Sequence, residues 1–128
     1  MKNNYIVSIG SNNDAEQKTS EVQQILTELF DNVAFSAFQW TPPVGAHYTQ
    51  PFYNGAVCFE CNLDAVDLKL QLKTIETKLG RTPEQKKEGI VPIDLDIIAC
   101  NGEIIHTDYQ RFPWVKEAVD SLRHLVKK

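Results

Sequence analysis

An α+β fold, with a mainly antiparallel sheet, helices on one face and a C-terminal hairpin and helix, is the architecture this sequence predicts. Three observations carry that expectation. Short β-branched and aromatic runs alternate with segments of helical periodicity. Asn101-Gly102 stands between two apolar runs, the strongest short signal for a two-residue hairpin turn. A chain of 128 residues, 42% hydrophobic and 23% charged, suits one domain spanning 1–128 with a core of its own.

Taken in order, "YIVSIG" is a β-rich run closed by Gly10, and "SNND" after it is a turn-and-cap cluster that opens a helix. Val22, Ile25, Leu26, Leu29 and Phe30 have the spacing of a stripe on one helix face, which Asp31-Asn32 ends. "VAFSAFQW", 33–40, reads as one strand. Three prolines and a glycine make 41–51 a loop, and "FYNGAVCFEC", 52–61, is the next strand. Leu63-Asp64 followed by Asp67 and Leu68 is a helix start with an acidic N3 and a hydrophobic staple. Leu68, Leu72, Ile75 and Leu79 continue that helix, and Gly80 stops it. "RTPEQKKEGIVP", 81–92, reads as a second long loop leading into the strand "IDLDIIAC", with "EIIH" returning antiparallel after the hairpin turn. Pro113 suits the first turn of a last helix whose apolar side is Val115, Ala118, Val119, Leu122 and Leu125. The order β-α-β, β-α-β, hairpin, helix is that of a split βαβ, ferredoxin-like sandwich, which leaves the second sheet face and the two long loops to form a site.

Composition narrows the function. A net charge of −4 without a basic stripe gives a nucleic-acid surface little to work with. No apolar stretch approaches the roughly 18 residues of a membrane span, so the expected location is the cytoplasm. Three cysteines fit a reducing compartment, and Cys58 and Cys61, three apart on a strand, point to opposite faces and read as structural. His47, His106 and His124 show no paired ligand spacing and read as loop or surface residues. Gly10-Ser11-Asn12 reads as a turn, since no phosphate-loop pattern accompanies it.

The chemistry-bearing feature is "IDLDI". Ile93, Leu95 and Ile97 alternate with Asp94 and Asp96, so a strand presents both carboxylates on one face, continued by Ile98 and Cys100. Two such carboxylates suit Mg²⁺, which takes oxygen ligands and is often shared with substrate phosphates. An amphipathic strand with a merely wet polar face shows the same alternation, and the spacing leaves both readings open.

"YIVSIGSN", "TPPVG", "PFYNGAV", "TIETKLGR" and "IDLDIIACNGEII", over roughly residues 5–106, resemble the 6-hydroxymethyl-7,8-dihydropterin pyrophosphokinase family. The resemblance implies a ferredoxin-like enzyme of folate biosynthesis that transfers pyrophosphate from ATP to the pterin hydroxymethyl group and leaves AMP. It implies two Mg²⁺ ions held by Asp94 and Asp96, with Arg81 the third catalytic residue. Thr41, Pro42 and Val44 match the pterin loop, Phe52 the stacking ring and Asn54 the amide that reads the pterin. Glu76 and Ile97 match nucleotide contacts. The family's Trp-Gly-Pro-Arg before Asp-Leu-Asp is absent: Glu88 and Val91 stand at its tryptophan and arginine, and Pro83 at an earlier arginine. Lys86, Lys87 and Arg111 are the cations expected to meet the phosphates instead, and Phe112 or Trp114 the ring expected to cover the pterin. The alternative is a pterin- or nucleotide-binding protein with little catalysis that pairs with another folate-pathway enzyme.

Overall fold

In the computed structural model, which describes residues 2–45 and 48–126, the strand β1 (Asn3–Ser11) lies in the middle of the sheet. It pairs antiparallel with β4 (Phe52–Cys61) on one side and β5 (Asp94–Cys100) on the other. β2 (Asp31–Phe35) and β3 (Gln39–Thr41) both pair with β4, and β6 (Glu103–Ile104) pairs with β5, which gives the order β2-β4-β1-β5-β6. Helix α1 (Ala15–Leu29) joins β1 to β2, and α2 (Ala65–Lys78) follows β4. This is the expected α+β, ferredoxin-like arrangement.

Alternation along the strands builds two unlike faces. Tyr5, Val7 and Ile9 of β1 join Val22 and Leu26 of α1 and Leu68, Leu72 and Ile75 of α2 in one fully apolar core. On the other face Ile6, Ala56, Cys58, Ile98 and Ala99 pack against Val115, Val119 and Leu122 of α5 (Pro113–Arg123). The last helix therefore covers half of the face that the sequence left open. Further along the same strands the residues turn polar or small: Ser8 and Gly10 on β1, Asn54 on β4, Asp96 and Asp94 on β5. That half is where a cavity lies, bordered by Trp114 and Val115 at the start of α5.

Several local expectations change. β1 runs through Gly10 and Ser11, which are strand and not turn. Asp14 opens α1 from a left-handed conformation (φ 48°) without a side-chain cap bond. Phe30 leaves α1 and stacks on Phe59, ring centroids 4.1 Å apart, while Leu29 stays 45% exposed. The 33–40 strand is two, because Ser36 to Phe38 leave the ladder. Ser36 keeps its hold by donating N–H to the Ala56 carbonyl and accepting the Ala56 N–H on Oγ, at 2.9 and 2.8 Å. Phe38 then lies over Gly55, where a Cβ would meet three ring atoms at 2.7 Å. Gly55→Ala is expected to lower stability by about 1–3 kcal/mol, the usual penalty for overpacking. Urea unfolding measures this, and an unshifted midpoint would contradict the close approach.

The 81–92 segment is not all loop. Pro83–Glu88 form a short helix, α3, with proline at its first position and Gly89 closing it at φ 71°. The Thr82 N–H donates to the Gln85 side chain at 2.9 Å. A bulge also separates the pairs Ile6↔Ala99 and Val7↔Ile97, so Ile98 is an extra residue on β5. Ile98 keeps to the aspartate face, but Cys100 is turned to the opposite one, against the α1/α2 core. A four-residue helix, α4 (Asp108–Arg111), precedes α5, and Leu125 lies beyond the α5 terminus, 50% exposed.

Candidate active site

Two cavities meet at the N-terminal half of β5. The first, about 200 Å³, lies on the polar half of that sheet face. Its floor is Ser8, Gly10 and Asn54, and aromatic rings stand at its sides. Phe52 meets Tyr48 edge-on at 5.4 Å, while Phe112 and Trp114 stack on each other at 5.1 Å. Asn54 donates its amide N–H to the hydroxyl of Thr41, a buried residue that pairs with Phe52 across the β3–β4 ladder. That bond leaves the Asn54 Oδ1 turned toward Gly10, where any Cβ would approach it to 2.8 Å. Glycine at position 10 thus gives the amide room. Pro42 and Val44 complete this wall. His47, on the same loop, lies outside the described residues.

The second cavity, about 440 Å³, runs between α2 and β5. Lys69, Lys73 and Glu76, at helical spacing on one side of α2, face Ile97 and His106 across it, with Ala65, Val66 and Ile105 as an apolar end. Arg81, Asp94 and Asp96 line both cavities.

How Arg81 reaches that shared wall follows from the end of α2. The Gly80 N–H bonds the Thr77 carbonyl at 3.0 Å and the Arg81 N–H bonds the Glu76 carbonyl at 3.1 Å, the paired bonds of a glycine-terminated helix. Gly80 takes the left-handed turn this needs, φ 102°. The Arg81 side chain then sets Nη1 at 2.8 Å from Asp94 Oδ1, 3.2 Å from Glu76 Oε1 and 3.2 Å from the Ile93 carbonyl. Glu76, only 6% exposed, accepts the Leu95 N–H on Oε2 at 2.7 Å and so ties α2 to β5. Burial raises its carboxyl above the usual range, against the pull of the Leu95 N–H and of Arg81.

Asp96 differs from its neighbour. Burial, then the facing charge and hydrogen bond of Asp94, then Asp108 and Glu76, push its carboxyl up to about 7. Among the described residues no base lies within ion-pair distance of it, whereas Asp94 has Arg81. A carboxylate short of positive charge, beside a second carboxylate and open to two cavities, is oxygen-donor chemistry that suits a small divalent cation.

The structure thus brings together Thr41, Pro42, Val44, Phe52, Asn54, Arg81, Asp94 and Asp96 around the first cavity, and Glu76 and Ile97 with the shared residues around the second. Lys86 and Lys87 are exposed on α3 and line neither. Arg111 also lies outside both, its guanidinium 4.9 Å from the Phe112 ring centre. Sequence reasoning missed Lys69 and Lys73, whose only signal is their spacing ahead of Glu76. It also missed Asn12, which donates to the carbonyls of Val91 and Gly89 at 2.9 and 2.8 Å and accepts the Val91 N–H at 2.6 Å. Asn12 pins the end of the 81–92 segment beside the first cavity. A family model described as 7,8-dihydro-6-hydroxymethylpterin-pyrophosphokinase (HPPK) matches residues 6–124.

Proposed function

The chain belongs to the 7,8-dihydro-6-hydroxymethylpterin-pyrophosphokinase family, and from that premise we propose that it transfers the terminal pyrophosphoryl unit of ATP to 6-hydroxymethyl-7,8-dihydropterin, with Mg²⁺, in the cytoplasm. Pyrophosphokinase chemistry on a pterin, within folate biosynthesis, is what the family implies. The observation that carries the reading is the carboxylate pair Asp94 and Asp96 on the wall between an aromatic cavity and a lysine-lined one.

In the first cavity, Phe52 offers a ring face for the flat heterocycle and Phe112 or Trp114 a second one. Asn54, oriented by Thr41, reads donors and acceptors on the ring edge, and Pro42 and Val44 bound the loop side. The hydroxymethyl oxygen then faces the shared wall, gives up its proton and bonds to the β-phosphorus as AMP leaves. In the second cavity, Ala65, Val66, Ile97 and Ile105 suit an adenine, and Lys69 and Lys73 lie beside its polyphosphate. Asp94 and Asp96 would hold Mg²⁺, which when bound supplies charge neutralisation at the phosphates. Arg81, held by Glu76 and Asp94, adds a fixed positive group at the same place.

Lysines on a helix serve as point charges where the family has the fork of arginine. Lys73→Ala is expected to raise the KM for ATP about tenfold, the loss of one charge-assisted contact, with the KM for the pterin unchanged. Lys86→Ala with Lys87→Ala should change either KM by less than about twofold, the small effect usual for exposed charges. Steady-state kinetics on the two substrates distinguish these outcomes, and the reverse pattern would move the phosphate grip to α3.

The function itself is tested by incubating the protein with ATP, Mg²⁺ and 6-hydroxymethyl-7,8-dihydropterin and following AMP. No AMP at high protein concentration, with pterin binding intact by calorimetry, overturns the enzyme reading. It favours a pterin-binding protein working with another folate enzyme, the reading that the outlying Lys86, Lys87 and Arg111 support.

A further inference from the structure

We propose that Asp96, His106 and Asp108 form a mixed nitrogen–oxygen site for a divalent transition-metal ion such as Mn²⁺ or Co²⁺, distinct in donor set from the Mg²⁺ pair. One ligand atom from each of the three lies within 4.8 Å of the others. All three side chains are half-buried. Asp96 lines both cavities, His106 the second and Asp108 the first, so the cluster sits across the wall that separates them.

Rigid structure holds the three together. The Asn101-Gly102 turn, with both residues at positive φ, fixes the register of β6 on β5. The ladder continues one residue further, where the Ile105 N–H donates to the Ile98 carbonyl at 2.8 Å. His106 follows immediately and is carried back alongside the Asp96 end of β5. Its Nδ1 accepts the Asp108 N–H at 3.0 Å and lies 3.7 Å from Asp108 Oδ1. A backbone N–H can only donate, so this Nδ1 carries a lone pair and no proton, on the side of the ring that faces a carboxylate. The imidazole is thereby held beside the two carboxylates, with one ring nitrogen placed as the third donor of the cluster. Neither Asp96 nor Asp108 has a Lys or Arg within ion-pair distance among the described residues.

Donor type sets the ion. Mg²⁺ favours an all-oxygen octahedron, whereas imidazole with carboxylates suits the first-row transition ions. The site shares Asp96 with the proposed function and borders both of its cavities through Asp108 and His106, and its test is binding at equilibrium, which needs no turnover.

Chelator-stripped protein is titrated with Mn²⁺ and Co²⁺ by calorimetry, and the Co²⁺ adduct is followed by its visible absorption. His106→Ala and Asp108→Asn are expected to weaken Mn²⁺ and Co²⁺ at least about tenfold while Mg²⁺ affinity is unmoved by His106→Ala. His124→Ala should leave all three ions unaffected. Substoichiometric Mn²⁺ should also broaden the imidazole NMR signals of His106 in the unmutated protein and spare those of His124, a readout that does not depend on a variant folding. Unchanged Co²⁺ binding in His106→Ala, or no selective broadening of His106, overturns the site even if AMP is formed with Mg²⁺. His106-dependent Mn²⁺ binding without any AMP upholds it and removes the enzyme reading instead.

Discussion

Asp96→Asn is expected to lower AMP formation by about three orders of magnitude or more, the scale of several kcal/mol of charge stabilisation at the phosphates. The fold should persist. In metal-free buffer the variant should melt above the unmutated protein at pH 8. The folded pKa of Asp96, about 7, exceeds the unfolded value of about 3.9. Between those values the folded state binds the extra proton, so stability falls as pH rises through the window. The cost is absent near pH 4 and complete above pH 7, and asparagine does not incur it. The melting-temperature gap between variant and parent therefore widens from pH 4 to 7 and then levels. Mg²⁺ should raise the parent's melting temperature more at pH 8 than at pH 5 and barely move the variant's. A gap that is constant with pH, or turnover within tenfold of the parent, would overturn the role given to Asp96.

The second large effect concerns stability. Glu76→Ala removes the carboxylate oxygen that accepts the buried Leu95 N–H and one of three oxygens around Arg81 Nη1. Stranding a buried donor beside a half-buried cation is expected to cost about 3 kcal/mol. Glu76→Gln keeps an oxygen for the Leu95 N–H and loses only the charge, so a cost nearer 1 kcal/mol is expected. Denaturant unfolding of the pair separates the bond from the charge. Equal losses would mean that Glu76 acts through its charge and not through the strand.

Much of this was legible because the signals were local. The limits of β4, the Asp64 cap that accepts the Asp67 N–H at 2.8 Å, and the Asn101-Gly102 turn all rest on neighbours within a few residues. So does the alternation that put Asp94 and Asp96 on one face. What was not legible depended on distant partners. Cys100 changed face because of one extra residue, Ile98, in the β1–β5 ladder, and nothing within "IDLDIIAC" marks that bulge. Ser36 left its strand because it bonds Ala56, twenty residues on. Lys69 and Lys73 look like any solvated helix surface until β5 is laid beside them. Asn12 looks like a turn residue until Gly89 and Val91 arrive to be held. The short helix α3 is a different case: Thr82-Pro83 and Gly89 were on the page, but six residues give no period to read.

The face of the sheet that α5 half covers has a consequence for how this protein can vary. On each of three adjacent strands a position clamped under the helix (Ile6, Cys58, Ile98) stands two or four residues from one that opens into the cavity (Gly10, Asn54, Asp96). At about 3.3 Å per residue, roughly 7 to 13 Å divides positions whose substitution destabilises the fold from positions whose substitution leaves it folded and idle. Tolerance to substitution should therefore change abruptly along a single strand. A library scored separately for abundance and for turnover would draw that frontier as one line crossing β4, β1 and β5.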